Sequence, residues 1–135
     1  MPTERENPTA RNLHHLALGA RDVERVAAFY RDLVGLREVT RHHEPGGGLR
    51  SIWLDLGGPI LMIEQTEAAA RPVPGIGAGP FLIALAAEPA ERDAAERSLA
   101  ASGFPVESRT AHTIYFRDPE GNRVAISSFP LQKEQ

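Results

Sequence analysis

The chain contains no cysteine, so its chemistry must rest on imidazoles, carboxylates, hydroxyls and guanidinium groups. Thiolate metal sites, cysteine nucleophiles and disulfides are excluded together. Its five histidines fall as two adjacent pairs and a single residue: His14-His15 in the run LHHLALG, His42-His43 ahead of Glu44, and His112 before TIYFR. Neighbours in an extended strand point to opposite faces, so only one member of each pair looks to a given side. Glu64 follows Leu61-Met62-Ile63 in an expected central strand, where a carboxylate is costly to bury unless paired, or stands solvated at the strand end. Arg50 can meet a carboxylate or phosphate bidentately, or lie at the surface. Trp53 and Tyr115 sit in strands, as core or as platforms for a ligand. No GxSxG, GxxxxGK[ST] or HExxH occurs, which removes three further chemistries.

The elements that would position these residues follow from periodicity and punctuation. Residues 13–19 read as a buried strand. Asp22 then caps a helix to about residue 34, with Val23, Val26, Ala27, Tyr30, Leu33 and Val34 on one face and Gly35 at its left-handed end. Strands follow at 36–43, 49–56 and 59–65, separated by Gly46-Gly47-Gly48 and Gly57-Gly58. The order then recurs: strand 81–87, a helix from Pro89 to about Ser102 stopped by Gly103, strands 104–109 and 112–117, the turn Asp118-Pro119-Glu120-Gly121-Asn122, and strand 123–128. The fold class is α+β, with two tandem βαβββ modules forming a curved mixed sheet around a cleft. The expected bounds are a polar tail over 1–11, one domain over 12–129 (modules 12–66 and 80–129, connector 67–79) and a tail over 130–135.

With 135 residues the chain is one domain long, and 41% apolar with 24% charged content is ordinary for a globular protein. A net charge of −3 without long basic blocks argues against a nucleic-acid surface. The longest apolar stretch falls far short of the roughly 20 residues of a membrane span. The N-terminus has no apolar signal region, so the expected address is cytoplasmic.

His15-Leu16-Ala17-Leu18, Arg21-Asp22-Val23 and the string FYRDLVGL (29–36), together with YFRDPEGN (115–122), resemble the vicinal oxygen chelate superfamily, which includes glyoxalase I, fosfomycin-resistance enzymes, bleomycin-binding proteins and extradiol dioxygenases. The resemblance spans about Leu13 to Phe129. It implies metal ligands projecting into the cleft, matched here by His15 and Glu64. The family's second-module histidine falls on or near Leu82, and its final glutamate on Ala125. A catalytic zinc needs about three protein ligands and non-haem iron two histidines and a carboxylate, so half of the site is matched. A third ligand would have to come from His42, His43 or His112.

These residues give two main expectations, beside a third class, a purely structural or partner-binding domain, that would need the cleft to be filled by side chains. The first is a small-molecule-binding or sequestering protein, or an enzyme of unnamed chemistry, with no resident cofactor. His15 and Glu64 would then be polar anchors or a base, and Arg50, Trp53, Leu82, His112, Tyr115 and Ala125 would line the ligand site. The alternative is a glyoxalase-like lyase or isomerase, or a dioxygenase, holding Zn, Ni, Fe or Mn on His15 and Glu64. A homodimer, implied by the family, is expected in either case.

Overall fold

The computed structural model describes residues 10–131, and most of the two expected tails lies outside them. The elements are β1 (His15–Ala20), α1 (Val23–Ala28) continuing as a π-helical segment (Phe29–Val34), β2 (Glu38–His43), β3 (Leu49–Asp55), β4 (Ile60–Gln65), β5 (Ile83–Ala86), α2 (Pro89–Ala101), β6 (Ser108–Arg109), β7 (Thr113–Arg117) and β8 (Arg123–Ser127). They form two four-stranded sheets of identical plan, β1-β4-β3-β2 and β5-β8-β7-β6. In each, the first strand runs parallel to the last and the other pairings are antiparallel.

The chemistry of the helix ends explains where the helices start and stop. The Asp22 carboxylate accepts from the Arg25 amide, and Gly35 closes the first helix at φ 98°. Pro89 opens α2 behind a capping box in which Glu88 and Glu91 serve each other's backbone amides. The first helix is not α-helical throughout, as periodicity predicts. Its last turns widen, and the amides of Gly35 and Leu36 both donate to the Tyr30 carbonyl, at 3.0 and 2.9 Å. The strand expected over 104–109 contracts to Ser108–Arg109. Pro105 has no amide to give a ladder, and the Phe104 amide donates to Leu99 at the end of α2.

Each helix covers one face of its own sheet. Ile52, Leu54, Leu61 and Ile63 are buried beneath Val23, Val26 and Ala27, while Ile114, Phe116, Val124 and Ile126 are buried with Ala95 and Leu99. Phe29 joins the halves, its ring 4.8 Å from Phe104 and 6.0 Å from Phe116. The modules therefore meet through their helix-covered sides, and no strand of one sheet pairs with the other. The opposite face of each sheet is left open.

Asp118 locks this arrangement. Its carboxylate accepts from the amides of Glu120 and Asn122, from the Asn122 side chain, and from the Tyr30 hydroxyl at 2.6 Å across the module boundary. Arg117 donates to the carbonyls of Val73 and Gly121, which holds the connector against the same turn.

Candidate functional site

Alternation along the strands decides which side chains reach the open faces. In the first sheet these are His15, Ala17 and Gly19 of β1, Ile60, Met62 and Glu64 of β4, Ser51, Trp53 and Asp55 of β3, and Thr40 and His42 of β2. Register arranges them in rows. Gly19, Glu64, Ser51 and His42 share one row; Ala17, Met62, Trp53 and Thr40 share the next; His15, Ile60 and Asp55 share a third. His15 and Glu64 thus occupy the same face but stand four residues apart in register, about 13 Å along the strands at ~3.3 Å per residue. They do not form a chelating pair. His15 instead lies against His14, Nδ1 to Nδ1, at 2.8 Å.

Two β-bulges shape β2 and β3. Val39 is the extra residue of the first, between Glu38↔Leu54 and Thr40↔Trp53, and Arg50 that of the second, between His42↔Ser51 and His43↔Leu49. The first bulge puts Glu38 and Arg41 together on the helix side, where Arg41 bridges Glu38 and Glu24 at 2.8 Å each and Arg31 donates to Glu38 at 2.9 Å. The second leaves Arg50 exposed and as the extra residue outside the pairing register, so Arg50 falls in none of the rows that hold the other candidates.

Beside Glu64 the face carries three polar atoms that are shut off from solvent and lack a hydrogen-bond partner among the described residues: His42 Nε2, Ser51 Oγ and Trp53 Nε1. The His42 and Trp53 rings lie 4.7 Å apart at 58°. Ser51 is fully buried, and it stands between His42 and Glu64 in the row. Glu64 itself makes no hydrogen bond or ion pair among the described residues. Sequence reasoning missed Ser51, although alternation from Trp53 would have placed it on this face.

The open face of the second sheet presents Ala84 and Ala86 of β5, Arg123, Ala125 and Ser127 of β8, Thr113, Tyr115 and Arg117 of β7, and Ser108 of β6. Ala125 is fully buried, and the Arg123 guanidinium lies 4.5 Å over the Tyr115 ring. Leu82 precedes β5 rather than lying in it. His112 is outside the face: its ring abuts Phe129 at 5.4 Å, and its carbonyl accepts from Arg92. A separate cavity of about 310 Å³ opens between the end of the first helix and α2, lined by Val34, Leu36, Leu85, Ala95 and Ile126 among others. Its walls hold no candidate residue.

A divalent metal does not fit this donor set. Among the described residues no three His, Asp or Glu side chains cluster as ligands. The strands of the second open face carry no imidazole, and the Glu107 carboxylate that meets Arg117 there is held in an ion pair at 3.2 Å.

With these features in place the relationships are clear. Residues 12–126 match the Glyoxalase/Bleomycin resistance protein/Dioxygenase superfamily, and the chain belongs to that family. A solved lactoylglutathione lyase from Agrobacterium tumefaciens is 28% identical over 88% of this chain and 94% of its own, with a TM-score of 0.64. A point mutant of the fosfomycin resistance protein FosX from Listeria monocytogenes, complexed with Mn(II) and 1S,2S-dihydroxypropylphosphonic acid, is 18% identical over 91% and 96%, with a TM-score of 0.73. A glyoxalase/dioxygenase from Nostoc punctiforme is 21% identical over 89% and 92%, also with a TM-score of 0.73. The last two likenesses concern the fold alone. No curated protein is similar enough to match the sequence.

Proposed function

We propose that this chain is a cytoplasmic, small-molecule-binding member of the superfamily that recognises its ligand by shape and hydrogen bonding, without a resident divalent metal. One observation carries the reading: among the described residues no three metal-ligating side chains cluster, with His15 and Glu64 four residues apart in register and Ala125 where the resemblance places a ligand. The first face holds what a ligand site needs, apolar side chains such as Ile60 and Met62 beside the unpartnered polar atoms of His42, Ser51 and Trp53. His15 and Glu64 are anchors, Glu64 is the base if chemistry occurs, and Tyr115, Ala125 and Leu82 line the wall that a second copy of the chain brings opposite them.

A homodimer completes the proposal. β1 and β5 are edge strands, and unpaired edges invite a second copy. Phe129 and Leu131 are exposed beyond the last strand, and they supply apolar surface for such a contact.

The Mn(II) complex of FosX motivates the competing reading, a lyase or dioxygenase using a metal on His15 and Glu64. A thermal-shift screen of small polar ligands, run with and without EDTA, separates the two. Stabilisation that persists in EDTA is expected. Stabilisation abolished by EDTA and restored by Mn, Zn, Ni or Fe would establish the metal-dependent enzyme instead.

A further inference from the structure

We infer that His42, Ser51 and Trp53 form a subsite for an uncharged carboxamide-type group; this rests on the small-molecule-binding reading and names the ligand chemistry of its first sheet. Three polar atoms on one face, all sequestered and all unpaired, are a standing destabilisation unless something bonds them. The indole N–H of Trp53 only donates, whereas the Ser51 hydroxyl and a neutral His42 Nε2 donate or accept. The group that satisfies them presents an acceptor oxygen to Trp53. Glu64, next to Ser51 in the row, is acceptor-only when ionised, so it takes an N–H or O–H from the ligand and repels an anion there. An acceptor beside a donor, on an uncharged planar group, meets both demands. Binding requires the half-buried His42 ring to move off Trp53, with which it is in contact at 4.7 Å.

Trp53 is the sole tryptophan of the chain, so its fluorescence reports on this subsite alone. The probe is benzamide, with benzoate as its charged counterpart. Benzamide is expected to change Trp53 emission saturably in the millimolar range, and benzoate to bind about tenfold more weakly or worse. Ser51→Ala should weaken benzamide about five- to tenfold, the value of one hydrogen bond, while leaving the melting temperature equal or raised, because it deletes an unsatisfied buried hydroxyl. Trp53→Phe, followed by calorimetry, should show a similar weakening with the ring retained. Absence of saturation, benzoate binding as tight as benzamide, unchanged affinity in either variant, or a lowered melting temperature in Ser51→Ala would each overturn the proposal. A ligand from the thermal-shift screen whose affinity depends on His15 but not on Ser51 would leave the broader reading standing without this subsite.

Discussion

Tyr30 and Asp118 show how one residue pair can carry a family string without chemistry. The Tyr30 hydroxyl, buried in the first module, donates to a carboxylate that also organises the turn of the second. Deleting the hydroxyl in Tyr30→Phe removes one charge-assisted hydrogen bond and leaves Asp118 with its turn donors, and a loss of about 1.5–3 kcal/mol is expected in urea unfolding. Burial, and after it the Asp118 charge and hydrogen bond, push the Tyr30 hydroxyl well above its ordinary pKa. In the unfolded chain it ionises near pH 10, whereas in the folded chain it keeps its proton. This contribution is therefore fully present below pH 10 and is lost as pH rises toward the folded value. Alkaline unfolding of the wild type should show this loss, and Tyr30→Phe should lack it. The turn composition of DPEGN was legible in the sequence, as was its sufficiency as a structural feature. Its partner was not, because a contact 88 residues away in sequence leaves no local pattern.

At the scale of elements, the charges that tie α1 to β2 depend on the Val39 bulge. Hydrogen bonds from Arg41 first, and then from Arg31, hold the Glu38 carboxyl below its usual range. Its stabilising effect is present above the unfolded carboxyl's ordinary pKa and disappears as pH falls through the lower folded value. The pair is partly exposed, so Glu38→Gln should flatten the acid limb of the stability profile by only about 0.5–1 kcal/mol. Gly121 sits at φ +90°, and an added Cβ would come 2.9 Å from Pro72. Gly121→Ala should therefore cost about 1–2 kcal/mol and loosen the connector, measurable as faster proteolysis within residues 71–80. Glycine stops, the Asp22 cap and Pro89 made both helices readable in advance. The π-helical turns over 29–34 were not readable, since apolar residues at three- and four-residue spacing suit either winding. The two bulges escaped for a related reason: they arise from pairing between strands, which alternation within one strand does not encode.

The whole molecule shows where the sequence reading of the site reached its limit. Strand parity correctly puts His15 and Glu64 on one face. Their separation depends on the parallel register of β1 with β4, which tertiary packing fixes, and that register turns two matched ligand positions into distant polar points. The proposed homodimer would cover the open faces and the edge strands β1 and β5, so light scattering at micromolar concentration should return a dimer, about twice the 14.7 kDa chain mass. A stable monomer would show that the open faces work uncovered. The central claim, ligand recognition without a resident metal, is tested most directly by elemental analysis of protein purified without chelator. Metal far below one equivalent per chain, unchanged in His15→Ala, is the predicted result. One equivalent per chain, lost in both His15→Ala and Glu64→Ala, would contradict it.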